Sequence, residues 1–148
     1  MSHTATVKSI QIVSITALRA AINELNSTGV SCQLLENAVP RAFYPDQLGM
    51  GKADYVLSLK NSKYDVGFYK TDKGTYEART DFYNGQIEGC LGAVASSPET
   101  AAQAKMGKLF QLYGVHAATE AARKKGHMVR RITKSDGVIA LEVSGPNL

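Results

Sequence analysis

Ala53-Asp54-Tyr55-Val56-Leu57-Ser58-Leu59-Lys60 begins the most regular pattern in the chain: its odd-numbered positions are apolar, while positions 54, 58 and 60 are polar. A period of two is typical of a half-buried strand. The alternation returns over residues 64–70 and 76–82, after turns at 61–63 and 71–74. Gly74 can take a positive φ in the second turn at no steric cost. The stretch 53–82 therefore predicts a three-stranded antiparallel meander.

Before the meander, the sequence predicts a strand, a helix and a second strand. Residues 5–13 are rich in β-branched side chains, and residues 30–35 form a short apolar run. Between them, residues 15–25 carry apolar side chains at the three-and-four spacing of one helix face. Ser14 or Thr16 can cap this helix, and Gly29 can end it.

After the meander, the sequence predicts a loop, a long helix and a hairpin. Three glycines mark residues 83–97 as a loop without a phosphate-binding motif. Ser97-Pro98-Glu99 is a helix start, and Gly126 ends that helix after Lys125. Residues 128–143 form a hairpin around Asp136-Gly137. The elements together predict a single α+β domain over residues 1–148. Its antiparallel sheet contains the meander, the N-terminal strand and the C-terminal hairpin, and it packs against two amphipathic helices.

Composition indicates a soluble protein of one domain. The chain has 148 residues, of which 44% are hydrophobic and 20% are charged, so it can bury a core without disulfides or metals. No apolar run approaches the roughly 20 residues of a membrane span, and residues 1–4 lack the features of a signal peptide. We therefore expect a cytoplasmic protein. The formal charge of +4 favours acidic partners.

Histidine and cysteine are too dispersed to predict a metal site or a cofactor. His3, His116 and His127 are far apart, and so are Cys32 and Cys90. None lies at the spacing of a recognised zinc or redox motif. A cysteine could still meet a histidine through the fold and act as a nucleophile. Buried structural thiols are the favoured interpretation, because cysteine is among the most buried residue types.

Two carboxylates of the meander, Asp65 and Asp81, point away from the face that their apolar neighbours build. A helix over that second face would bury them. Antiparallel sheets commonly leave one face to water, so we expect both to be solvated. An enzyme built on Asp65, Asp81, Arg79 or His116 is the least favoured functional hypothesis, because no acid, base and orienting group is recognisable.

The loop at residues 37–52 is a candidate binding segment. It contains two prolines and two glycines, and loops of this length are often functional. Arg41, Phe43 and Tyr44 supply charge and aromatic surface. The alternative is that the aromatic side chains pack on the sheet edge and complete the core.

A second candidate binding segment lies at the end of the long helix and in the strand that follows. Adjacent Arg130 and Arg131 must point to opposite faces of that strand, so at least one leaves the basic patch or is paired internally. The alternative role for these charges is helix capping and protection of a strand edge. We call the segment the basic cluster; it consists of Arg123, Lys124, Lys125, His127, Arg130 and Arg131.

Several short motifs resemble the uncharacterised family named after hypothetical chloroplast reading frame thirty-five, which occurs in plastids, cyanobacteria, other bacteria and some bacteriophages. The resemblance spans nearly the whole chain. The motifs are Met1-Ser2-His3, Lys52-Ala53-Asp54, Tyr64-Asp65-Val66-Gly67-Phe68, Tyr76-Glu77 with Asp81, the helix from Tyr113 to Gly126, and Asp136-Gly137-Val138-Ile139.

The resemblance implies no reaction or ligand. It implies an adaptor role, since some members are found with genes for AAA-type ATPases and for a small accessory protein. Thr4 and the enlarged loop from Pro40 to Lys52 depart from the family pattern. The departures fit a divergent, phage-encoded member, which would work in the host cytoplasm.

Two functions follow as hypotheses. The first is a non-enzymatic binding protein that docks a macromolecular partner through the sheet edge, the loop or the basic cluster. The second is binding of RNA or single-stranded DNA, with phosphates held by the basic cluster and bases stacked on Phe43 or Tyr44. Phosphate contacts would make such binding fall steeply with salt.

Overall fold

The computed structural model describes residues 4–42, 51–82, 85–92, 106–135 and 138–145. These ranges contain seven strands and three helices. In chain order they are β1 Thr4–Ile12, α1 Ile15–Ser27, β2 Cys32–Ala38, β3 Ala53–Leu59, β4 Val66–Lys70, β5 Tyr76–Asp81, α2 Gln86–Leu91, α3 Gly107–Lys124, β6 Met128–Thr133 and β7 Ile139–Ser144.

Strands β1 to β5 form one antiparallel sheet in the order β1-β5-β4-β3-β2. The meander is confirmed as β3, β4 and β5, with Phe68 opposite both Tyr55 and Ala78. The N-terminal strand pairs with β5 as predicted. Strand β2 pairs with β3 at the other side, so β1 and β2 flank the sheet. The α+β class is confirmed.

Helices α1 and α3 supply the helical side of the core. Ser14 caps α1 through a hydrogen bond that its Oγ accepts from Ala17 N at 3.0 Å, as its sequence position predicts. Leu18 and Ile22 of α1 and Leu109 of α3 join the buried cluster that contains Phe68 of the sheet. Alternation in β3 and β4 therefore produces the core face that the helices cover.

The C-terminal hairpin of β6 and β7 forms a two-stranded sheet of its own, which packs against α3. It begins after Gly126, whose φ of +81° ends α3 in the predicted way. The hairpin turn at Asp136-Gly137 and the helix start at Ser97-Pro98-Glu99 lie outside the described residues. None of the helices in the described ranges is long and apolar enough to cross a bilayer.

Three sequence predictions are wrong. The C-terminal hairpin does not join the sheet of the meander, because in the described ranges β6 and β7 pair only with each other and pack on α3. The segment predicted as a loop at 83–97 contains helix α2, whose Ile87 and Leu91 are fully buried one turn apart. Asp65 and Asp81 are buried, with 3% and 0% exposure, and not solvated. The reason for Asp65 is that the chain around Arg41 folds back onto it, as described below. Asp81 lies opposite Thr4 in an internal strand, between β1 and β4.

The second face of the sheet is covered close to Gly67. A Cβ atom at this position would lie 2.7 Å from Tyr69 Cε1 and 3.0 Å from Pro40 Cγ. Pro40 is itself buried, and the hydroxyl of Tyr69 donates to the carbonyl of Gly51 at 2.9 Å. Both ends of the long loop are therefore attached to this face.

Candidate functional site

The basic cluster lies at the junction between α3 and the hairpin. Arg123 and Lys124 occupy the last turn of α3, and Lys125 is its C-cap. Arg130 and Arg131 follow in β6. The structure thus places these side chains at one end of the molecule, but it orients them in different directions.

Arg131 turns inward and attaches the hairpin to the helices. Its Nη1 and Nη2 donate to the two carboxylate oxygens of Glu24 in α1, at 2.9 and 3.1 Å. Nε2 of His116 in α3 lies 2.8 Å from the same carboxylate. The hydrogen bonds from Arg131, and next those with His116, hold the pKa of Glu24 below its ordinary value although burial opposes them. A partly buried carboxylate therefore joins α1, α3 and β6.

Two further cations of the basic cluster have acidic partners. Arg130 pairs with Glu142, which lies opposite it in the hairpin, at 3.3 Å. Lys124 pairs with Glu120 one turn earlier in α3, also at 3.3 Å. Arg130 and Arg131 thus leave β6 on opposite faces, which confirms the prediction that one of them is paired internally.

The remaining three members, Arg123, Lys125 and His127, have no carboxylate partner among the residues that the structure describes. Arg123 and Lys125 are exposed, and His127 is half-buried. These two cations are the part of the cluster that is available to a partner.

The outer face of the hairpin combines this charge with apolar surface. Met128 is 74% exposed and Ile132 is 37% exposed, and both share the Arg130 side of β6. A two-stranded sheet is marginal by itself, and no third strand pairs with β6 or β7 in the described ranges. The hairpin therefore exposes both strand edges and an apolar face.

The net charge of the chain is concentrated in the same place. Residues 123–148 contain six of the 17 Lys and Arg residues and two of the 13 Asp and Glu residues, so residues 1–122 carry eleven of each. The whole formal charge of +4 thus belongs to the end of α3 and the hairpin segment. Long-range attraction of an acidic partner would be directed to this end.

Arg41, one of the three residues named for the candidate loop, forms a tight ion pair with Asp65 that we call the Asp65 clamp. Its Nε and Nη2 bind the Asp65 carboxylate at 2.7–3.1 Å, and its backbone N–H donates to Asp65 Oδ2 at 2.9 Å. These bonds raise the pKa of Arg41 further. Nη2 also donates to the carbonyl of Leu59 at 2.8 Å. Phe43 and Tyr44 lie outside the described residues.

The candidate catalytic residues are engaged separately. Asp65 binds Arg41, His116 binds Glu24, and Arg79 pairs with Glu77 while its Cζ lies 4.6 Å from the Tyr69 ring centroid. Burial raises the pKa of both Cys32 and Cys90, which favours the protonated thiol over the nucleophilic thiolate. The described residues contain no group of three or more His, Cys, Asp or Glu side chains placed to hold a metal ion.

Comparison with protein families, with curated proteins and with solved structures gives no match. The functional argument for this chain consequently comes from its own geometry.

Sequence reasoning missed the importance of Glu24, Met128 and Ile132. Glu24 lies between the apolar positions of α1, and its partners are 92 and 107 residues away, so no local pattern connects them. Met128 and Ile132 did carry a signal, because they alternate with Arg130 in a strand whose two faces are both partly apolar.

Protonation of Glu24 is expected to weaken the attachment of the hairpin. Because its pKa is lowered in the folded protein, Glu24 contributes stability above its ordinary value of 4.5, and that contribution is lost as the pH falls through the lower folded value. At pH 7, Glu24→Gln should therefore lower the free energy of unfolding by about 1 kcal/mol, after allowance for solvent screening.

Urea unfolding of the wild type and of Glu24→Gln at pH 7 and at pH 3 measures this effect. The difference between their free energies of unfolding should be smaller at pH 3. Glu36→Gln is the matched control, since Glu36 pairs with Arg19 on the surface, where the two side chains are 60% and 46% exposed. A difference for Glu24→Gln that is the same at both pH values would contradict the assignment.

Proposed function

We propose that the protein is a small non-enzymatic binding protein whose C-terminal hairpin docks an acidic, partly apolar segment of another protein. The observation that carries the proposal is the outer face of the hairpin, where exposed Met128 and Ile132 flank Arg130 at the end of the chain that holds all of the net charge. Apolar anchors beside cations suit an amphipathic acidic segment.

A protein is favoured over a nucleic acid as the partner for two reasons. The described part of the hairpin contains no aromatic side chain on which a base could stack. The outer face also exposes Met128 and Ile132, apolar side chains that suit a protein segment better than a phosphate backbone. The family resemblance makes an AAA-type ATPase or a small accessory protein the first partner class to test.

The pairing mode that the hairpin supports is addition of a strand. Both β6 and β7 have an edge without a neighbouring strand in the described ranges, and such edges are templates for an incoming extended segment. Backbone hydrogen bonds would supply affinity, while Met128 and Ile132 would supply the apolar contacts. Arg123 and Lys125 would attract the acidic residues of that segment.

Selection from a random displayed peptide library tests this function without knowledge of the native partner. Peptides that bind the chain are expected to be rich in Asp and Glu and to alternate them with apolar residues. The double variant Met128→Ser/Ile132→Ser should bind the selected peptides at least about tenfold more weakly, since it removes two apolar side chains that the bound peptide would cover.

Val39→Ser is the matched control for this selection, because Val39 is 56% exposed just beyond β2 and should not alter binding. Equal binding by the double variant, or selected peptides without acidic residues, would contradict the proposal. If the library yields no binding peptide and the chain retains single-stranded DNA in a salt-sensitive way, the nucleic-acid hypothesis is favoured instead.

A further inference from the structure

A polar groove lies on the opposite side of α1 from the hairpin network, where the end of α1 meets strands β2 and β3. Its volume is about 480 Å³. Four of the side chains that line it lie on the same face of the β2–β3 pair: Ser31, Gln33, Ser58 and Lys60. Gln33 lies directly opposite Ser58, and the N–H of Lys60 donates to the carbonyl of Ser31 at 3.0 Å just beyond that pair. The pairing of β2 with β3 thus brings two hydroxyls, an amide and an ammonium group together.

Arg41 completes the groove as a fixed donor. Its Nε and Nη2 are held by Asp65 and by the carbonyl of Leu59. Nη1 has no acceptor in the described part of the chain, and 49% of the side chain is exposed. The clamp therefore orients one edge of a guanidinium group before any ligand arrives, which lowers the entropy lost on binding.

The lining of the groove contains donors and no carboxylate. Lys60 has no acidic partner among the described residues, and Asn26 Oδ1 already accepts the N–H of Cys32 at 3.2 Å, which leaves its amide N–H₂ as a donor. Cys32 also belongs to the lining, but its thiol donates to the carbonyl of Ile22 at 3.7 Å, and burial raises its pKa, which favours the uncharged thiol. The cation of Lys60 is consequently not neutralised within the groove.

We propose that this groove binds the phosphate group of a small phosphorylated ligand, with Arg41 and Lys60 as the charged donors and Ser31 and Ser58 as hydroxyl donors. A phosphate presents several acceptor oxygens in different directions, and the lining supplies donors from three places in the chain: Ser31 just before β2, Ser58 and Lys60 at the end of β3, and Arg41 after Pro40. The site is separate from the hairpin and does not depend on the proposed partner binding.

Titration of the ¹⁵N-labelled chain with inorganic phosphate, followed by NMR at constant ionic strength, tests the site. Saturable shifts are expected for the amides of Ser31, Gln33, Ser58 and Lys60. Lys60→Gln should weaken binding about fivefold, as expected for the loss of one charge-assisted contact at an open site. Lys73→Gln, in the exposed turn between β4 and β5, is the matched control and should bind like the wild type.

Three results would overturn the proposal. They are shifts that do not saturate, shifts confined to the basic cluster, and equal binding of phosphate by the Lys60→Gln variant. Acetate serves as the comparison anion, and binding of acetate as tight as that of phosphate would likewise exclude a phosphate site. Because the peptide selection uses the hairpin and this titration uses the groove, failure of one leaves the other unaffected.

Discussion

Replacement of Asp65 by alanine is expected to lower the free energy of unfolding by about 3 kcal/mol, because it breaks a paired buried charge. Asp65 is 3% exposed and is bound by both the side chain and the backbone of Arg41. Its Oδ1 also faces the N–H of Leu59 at 3.4 Å. The substitution removes the acceptor for these donors, so Arg41 stays attached only through its bonds to the backbone of Leu59 and residue 65.

Equilibrium unfolding in urea measures this loss, with Asp72→Asn as the control. Asp72 is exposed in the turn between β4 and β5, so its substitution should change stability by less than about 0.5 kcal/mol. In a double-mutant cycle with Arg41→Ala, the two substitutions should be strongly non-additive, since they remove the same interaction. Additive effects, or a loss below about 1 kcal/mol for Asp65→Ala, would show that the clamp contributes little.

The burial of Asp65 is a feature of this fold that the sequence pattern does not predict. Alternation along residues 53–82 predicts which side chains share a face, and Tyr55, Leu57, Phe68 and Ala78 do share the core face. Alternation contains no information about what covers the other face. Arg41 covers it from 24 residues away, so the burial of Asp65 follows from a tertiary contact and not from the local pattern.

The error at residues 86–91 has a different origin. Gly85, Gly89 and Gly92 suggested a loop, because glycine is unfavourable inside helices. Ile87 and Leu91 lie four residues apart and are both fully buried, so packing outweighs the cost of Gly89 in this short helix. The four-residue spacing of these apolar side chains indicates a helix, whereas the glycines indicate a loop. The tertiary contacts of the apolar side chains make the helix the more stable of the two.

For the candidate site, the sequence predicts which residues are charged, but it does not predict which of them have acidic partners. The cluster of cations at 123–131 is visible in the sequence, and so is the constraint that Arg130 and Arg131 diverge. Their acidic partners, Glu142 and Glu24, are set by hairpin register and by helix packing. Pairing leaves two exposed cations, Arg123 and Lys125, and the exposed apolar side chains of Met128 and Ile132 favour a protein segment as the partner.

Removal of one hydroxyl, in Tyr113→Phe, is expected to lower the free energy of unfolding by about 2 kcal/mol, because it leaves two N–H groups without an acceptor. The Tyr113 hydroxyl accepts hydrogen bonds from the backbone N–H groups of Val13 at 2.9 Å and Ser14 at 3.2 Å. Tyr113 is 3% exposed, so water has little access to replace its hydroxyl.

The position of these bonds explains why the expected effect is large for one atom. They join α3 to the junction between β1 and α1, where Ser14 caps α1 and also donates to Glu120 at 2.9 Å. Thermal unfolding and amide exchange at Val13 and Ser14 measure the loss. Tyr76→Phe is the control, since the Tyr76 hydroxyl has no hydrogen-bond partner in the described ranges. A change in Tyr113→Phe no larger than in this control would mean that solvent satisfies the two N–H groups, and that the α1 start is held by Ser14 and apolar packing alone.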